Sequence, residues 1–206
     1  MACAVEAFAE RKFGPGGPFH PGTPGAWTDS PRVRGSAQIH DRAFTGLVRS
    51  LVLCSTWARS DAFLRAAVKF WRWLPEAAPS ERAFLEAFYL WIYTPRAHED
   101  GTVGKIIEDV LAFPYQPSTE AIQRSIDAFV AHDTAGRLAQ IAAPTLVLAG
   151  ELDMITPPRY GRVVADGIPG ARFEVLAGEA HQPFQEAPGL FNATVDSFWR
   201  EVEARG

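Results

Sequence analysis

Two unbroken apolar stretches constrain the fold of this chain more than any other feature. Ser50-Leu51-Val52-Leu53-Cys54 and Ala143-Pro144-Thr145-Leu146-Val147-Leu148-Ala149-Gly150 contain no charge and do not alternate. A strand with one face in water alternates apolar and polar residues, so runs like these belong to strands buried on both faces, as in a parallel sheet covered by helices. The proline of the second run stands where the strand begins, and its missing N–H does little harm there. A third segment, Ala171-Arg172-Phe173-Glu174-Val175-Leu176, alternates apolar with charged side chains, as an edge or near-edge strand does.

Helical periodicity fills the space between the strands. Phe63, Leu64, Ala67, Val68, Trp71 and Leu74 share one helical face, with Ser60 as the expected N-cap. Phe84, Leu85, Phe88, Trp91 and Ile92 repeat the pattern, as do Ile122, Ile126, Phe129 and Val130, and a shorter helix fits Val103–Leu111. Pro157-Pro158 opens a helix that Gly167 and Pro169 close, and a last helix is expected over Glu186–Glu203. A βαβ crossover needs only about a dozen residues, so the helical block between the first two strands reads as an inserted domain. Its aromatics (Phe70, Trp71, Trp73, Phe84, Phe88, Tyr89, Trp91, Tyr93, Phe113 and Tyr115) suit core packing first and the lining of an apolar pocket second.

The beginning of the chain differs in kind. Between Phe13 and Ser36, five prolines and six glycines fill 24 positions, a composition that sustains neither a helix nor a central strand. Residues 1–40 are therefore expected to form an irregular leader, with room for a short helix at Ala4–Lys12.

Charge and cysteines narrow the function classes. A net charge of −4 over 206 residues, with no Lys/Arg run, implies neither a nucleic-acid nor a membrane partner. The N-terminus lacks the order of a signal peptide, and no stretch approaches the ~20 apolar residues of a membrane span. Cys3 and Cys54 lie far apart, which argues against a disulfide framework or zinc motif and for a reducing compartment, the cytoplasm by default. No cofactor motif is evident. His98-Glu99-Asp100 and His132-Asp133 hold metal-ligand types but read as two surface clusters.

In an open parallel sheet, ligands bind beyond the carboxyl ends of the strands. Asp153 follows the Thr145–Ala149 strand, and His181 follows the Phe173–Leu176 strand. Adjacent strand ends would let the carboxylate meet the imidazole, fix its tautomer and stabilise the imidazolium, as the base of an acyl-transfer triad requires. The plainer reading makes Asp153 a turn former and His181 a hydrogen-bonded loop residue.

The segment Arg137–Asp153, with Ile168-Pro169-Gly170-Ala171, Ala180-His181, Glu186 and Pro188, resembles the C-terminal signature of α/β-hydrolases. Val48–Ser55 is similar to that family's sixth strand, and the resemblance covers roughly residues 37–203. It implies an α/β fold: the last three parallel strands of a partial α/β-hydrolase sheet, with core segments 41–60 and 134–206 and a helical lid at 61–133. It also implies that Asp153 and His181 are the catalytic acid and histidine, at a separation typical of the family. Around those two loops the chain is somewhat similar to the 3-oxoadipate enol-lactonase branch.

The family's G-x-S-x-G nucleophile elbow has no counterpart where it is expected, near residues 29–35. Ser30 precedes a proline, and Ser36 lacks the second glycine. Strands one to five also lack room. The resemblance thus implies a Ser-His-Asp hydrolase of a small apolar ester or lactone, of which only acid and base are present. The competing expectation is an inactive truncated or frame-shifted fragment or an interaction module, self-associating through the edge that a three-stranded sheet exposes. No serine hydroxyl is expected within hydrogen-bond reach of His181.

Overall fold

The structure, a computed structural model, describes residues 48–205 and, as backbone alone, residues 6–11. Its four strands are β1 (Glu6–Arg11), β2 (Val48–Cys54), β3 (Thr145–Gly150) and β4 (Arg172–Leu176), paired in that order in one sheet. The last three are parallel, with Leu51 opposite Thr145, Cys54 opposite Leu148, and Gly150 opposite Leu176. Every residue of β3 is buried, as its unbroken apolar run requires. Leu51, Leu53 and Val147 pack on one face of the sheet; Val52, Cys54, Leu146, Leu148 and Leu176 pack on the other. Fully burying a leucine such as Leu146 or Leu148 contributes about 1.5–3 kcal/mol.

One expectation is overturned at the start of the chain. Glu6–Arg11 is a strand rather than part of a helix, and it runs antiparallel along β2, from Glu6 opposite Cys54 to Arg11 opposite Val48. A helix of nine residues is too short to hold itself together in water, whereas the edge of β2 offers a row of unpaired backbone donors and acceptors. The same strand covers the edge of β2 that the three-stranded sheet was expected to expose. The rest of the 1–40 leader, with Ser30 and Ser36, lies outside the described residues.

Between β2 and β3 come five helices: α1 (Ala62–Ala77), α2 (Glu81–Tyr89), α3 (Pro95–Glu99), α4 (Thr102–Leu111) and α5 (Thr119–Ala131). Their inward stripes meet in a core of their own, in which Leu64, Val68, Trp71, Phe84, Phe88 and Phe129 are buried. The N-cap of α1 is Asp61 rather than Ser60. The Asp61 carboxylate accepts from the Leu64 N–H at 2.8 Å, while the Ser60 hydroxyl donates to the Phe129 carbonyl. The ends of the block lie together: the Thr134 N–H donates to the Ala58 carbonyl at 2.8 Å, and Arg59 pairs with Asp133 at 2.8 Å.

A 3-10 turn at Ala135–Gln140 leads into β3, and α6 (Pro158–Gly167) crosses one sheet face to β4. The other face is covered by α8 (Pro188–Glu203) through Phe191, Val195 and Phe198. The helix expected over Glu186–Glu203 is α8, which begins at Pro188, and Glu186 instead ends the separate short helix α7 (Pro183–Glu186). Pro188 cannot donate backward and pushes Ala187 out of the helical region, to φ −136°. Among the described residues no helix is long and apolar enough to cross a membrane. Among the described residues β1 and β4 are the outer strands of the sheet, and Arg172 on β4 pairs with Glu174 and with Glu201 of α8.

Gly150 ends β3 under the chain that carries His181. A Cβ at this position would stand 2.0 Å from the Ala180 carbonyl oxygen and 2.6 Å from that of Glu179. Both are backbone atoms, which cannot swing aside. Gly150→Ala should therefore destabilise the chain by about 3 kcal/mol, read from urea unfolding. A loss below about 0.5 kcal/mol would show that the two loops do not press together here.

Candidate active site

The parallel pairing of β3 with β4 brings their carboxyl ends side by side, and the loops that follow are tied to each other at once. The Glu151 N–H donates to the Leu176 carbonyl at 3.0 Å, and the Leu152 N–H to the Glu179 carbonyl at 2.8 Å. Asp153 closes a tight turn, its N–H donating to the Gly150 carbonyl at 3.2 Å. The two side chains singled out in the sequence meet there. His181 Nδ1 lies 2.8 Å from Asp153 Oδ2, with both residues at most 3 % exposed.

The rest of the carboxylate is also satisfied. Oδ1 accepts from the backbone N–H groups of Ile155 and Thr156, each at 2.8 Å, and Oδ2 accepts from the Thr156 hydroxyl at 2.9 Å. Burial pushes the Asp153 carboxyl up most strongly, but the neighbouring His181 charge, its hydrogen bond and the two bonds from Thr156 together hold it below its ordinary value. Asp153 is thus an anion that only accepts, so the His181 Nδ1 carries the proton and Nε2 is the basic nitrogen of the neutral ring. That is the tautomer a general base needs.

Main-chain contacts fix the histidine from two further directions. Its N–H donates to the Ile92 carbonyl at 3.0 Å, in the helical block. Its carbonyl accepts from the Ser55 hydroxyl at 2.7 Å, immediately beyond β2. A serine hydroxyl therefore does reach His181, contrary to expectation, but at the backbone. Ser55 holds φ +52°, a left-handed conformation that a buried non-glycine residue adopts only where its surroundings enforce it.

Sequence reasoning found Asp153 and His181 but missed Thr156, Ser55 and the main chain of Ile92. Thr156 had a signal, since a hydroxyl three residues after an aspartate is within reach of that carboxylate in a turn. Ile92 had none, because a carbonyl contact leaves no trace in residue type. The other candidates stay apart. Asp100 accepts from the Thr102 N–H, Asp133 pairs with Arg59, and the His132 ring stands against Trp57 at 5.1 Å between centroids. No three His, Cys, Asp or Glu side chains among the described residues come together as a metal site. Of the aromatics, Trp71, Phe84, Phe88, Tyr89 and Tyr93 are buried in the core of the block, whereas Phe70, Trp73, Phe113 and Tyr115 are exposed.

No protein-family model matches the chain. RutD of Azorhizobium caulinodans, whose name assigns it carbamate hydrolysis, is 31% identical over 156 residues, 76% of this chain and 58% of its own length. A pimeloyl-[acyl-carrier protein] methyl ester esterase of Neisseria meningitidis is 34% identical over 166 residues, 73% of this chain and 60% of its own. The crystal structure of the enol-lactonase from Burkholderia xenovorans LB400 superposes with a TM-score of 0.65 at 25% identity, covering 81% of this chain and 62% of that one. The chain belongs to the α/β-hydrolase family. It spans about three fifths of the length of these relatives, and its sheet holds three parallel strands of that fold.

The ordinary value for Asp153 is 3.8, and in the folded chain it lies lower. As pH falls the unfolded chain takes up this proton first, so the stability from the carboxylate is present above about pH 4 and is lost as pH falls through the folded value. The stability advantage of the native chain over Asp153→Asn should accordingly be full near neutral pH and shrink as pH falls below the ordinary value of 3.8, measured by urea unfolding. An advantage that stays constant as pH falls through the acid range would contradict the ionised pair.

Proposed function

We propose that this chain carries the acid and the base of an acyl-transfer site that hydrolyses a small apolar ester or lactone. The observation that carries the reading is the buried Asp153–His181 pair at 2.8 Å, beyond the carboxyl ends of adjacent parallel strands. The names of the methyl ester esterase and of the enol-lactonase support the substrate class.

In this reading a serine oxygen attacks the substrate carbonyl carbon while its proton passes to His181 Nε2. The tetrahedral oxyanion then collapses, the ester C–O bond breaks, and the Nε2 proton goes to the departing alkoxide. Water attacks the acyl-serine, gives its proton to Nε2, and the acid leaves as the serine takes that proton back. Asp153 keeps Nδ1 protonated and stabilises the imidazolium at each half-reaction. No G-x-S-x-G spacing occurs in the sequence, so in this reading the attacking serine stands outside that motif, and the serines beyond the described residues are Ser30 and Ser36. Residues 61–133 act as the lid on a core formed by 41–60 and 134–206. The reaction belongs to a reducing compartment, the cytoplasm.

Incubating the full chain with a fluorophosphonate probe and p-nitrophenyl acetate tests the proposal. One label per chain is expected, and His181→Ala should abolish it and slow ester hydrolysis at least about 1,000-fold. An unlabelled chain whose residual hydrolysis ignores His181→Ala would sink the reading.

A second reading, an interaction module without catalysis, is favoured by β4, which among the described residues pairs on one side only and leaves Val175 44 % exposed. It predicts a dimer in light scattering that Val175→Lys dissociates into monomers. A monomeric native chain would eliminate it.

A further inference from the structure

The segment Tyr93–Arg96, which enters α3, is fastened to the histidine loop by side chains from both partners. Glu186 Oε2 accepts from the Thr94 N–H at 2.9 Å and from the Thr94 hydroxyl. The same Thr94 oxygen accepts from the Ala97 N–H at 3.2 Å and so caps α3. The Tyr93 hydroxyl bonds the side-chain oxygens of Gln182 and Gln185. Arg96 donates to both carboxylate oxygens of Glu179, at 2.9 and 3.2 Å, and Glu179 is 3 % exposed. Between these fastenings lies the bond from the His181 N–H to the Ile92 carbonyl.

We propose that Glu186 and Glu179 are positioning residues: by clasping Thr94 and Arg96 they hold the Ile92 carbonyl on the His181 N–H, and so orient the imidazole towards Asp153. This rests on the reading of His181 as the base, and it gives the helical block a second role. The block's Ile92–Arg96 edge is scaffold for the base rather than a moving flap. Parting it from the loop would strand the Glu179 carboxylate in the interior without its guanidinium, a state that buried charges strongly disfavour. Any opening of the block over the sheet must then pivot on this edge. The clasp acts on one peptide bond of His181 while Ser55 holds the next carbonyl, so ring orientation depends on both.

The test uses proton NMR of the full chain, following the low-field Nδ1–H resonance of His181 and the exchange of its amide. In Thr94→Val and Glu186→Gln the His181 amide should exchange roughly fivefold faster or more, and the low-field resonance should broaden or shift. Tyr93→Phe, which removes a single hydroxyl, should move both signals the same way by less, and it decides the question if the other variants do not fold. Faster exchange at Thr94 and Ala97 with both His181 signals unchanged would overturn the proposal, confining the clasp to the cap of α3. Neither signal requires turnover, so a chain that hydrolyses nothing leaves this result intact.

Discussion

The parallel pairing of β3 between β2 and β4 is the constraint on which the rest depends. A strand with all six residues buried can bury its ladder only between two other strands and its side chains only beneath helices on both faces. Parallel neighbours in turn force each connection across the sheet, which is why α6 covers one face and α8 the other. The same direction of travel delivers the segments after Cys54, Gly150 and Leu176 to one end of the sheet. Ser55, Asp153 and His181 are neighbours because three strands point the same way.

At that end the energetics turn from apolar burial to polar compensation. Withdrawing a carboxylate from water costs several kcal/mol even after the protein relaxes, and Asp153 is almost completely buried. The cost is offset because each oxygen accepts two hydrogen bonds, from Ile155 and Thr156 at Oδ1 and from Thr156 and His181 at Oδ2. Ionisation therefore survives burial, and from it follows the tautomer of the ring. The left-handed Ser55 is a local cost of order 1–3 kcal/mol at the residue whose hydroxyl meets the His181 carbonyl.

The parts of this structure that sequence reveals are those written in periodicity and residue type. The three parallel strands were legible from apolar runs, the helices from their stripes, and the Asp153–His181 pair from its place beyond two strand ends. Glu6–Arg11 was not, because the six-residue segment Glu-Ala-Phe-Ala-Glu-Arg is too short to declare a period and takes its conformation from the edge it meets. The cap of α1 moved from Ser60 to Asp61 because either residue type serves, and only the geometry of the turn chooses. The break at Ala187 could have been read from Pro188, whose effect on the preceding residue is general. The clasp was hidden for a different reason: Thr94 and Glu186 are 92 residues apart, and pairings at that distance leave no local pattern in a single sequence.

How the pair is built bears on what its presence means. Among the described residues, the contacts that assemble it come from Ser55 just beyond β2, from Ile92, Thr94 and Arg96 in the helical block, from Ile155, Thr156 and Glu179 in the two loops, and from Glu186 on α7. Among the described residues these bonds orient acid and base together and offset the burial of both in hydrogen bonding. Conversely, a nucleophile brought to Nε2 from elsewhere would meet a base already oriented, which is the condition for transition-state stabilisation without reorganisation. The dyad is thus a statement about preorganisation, and turnover depends on the one group it does not supply.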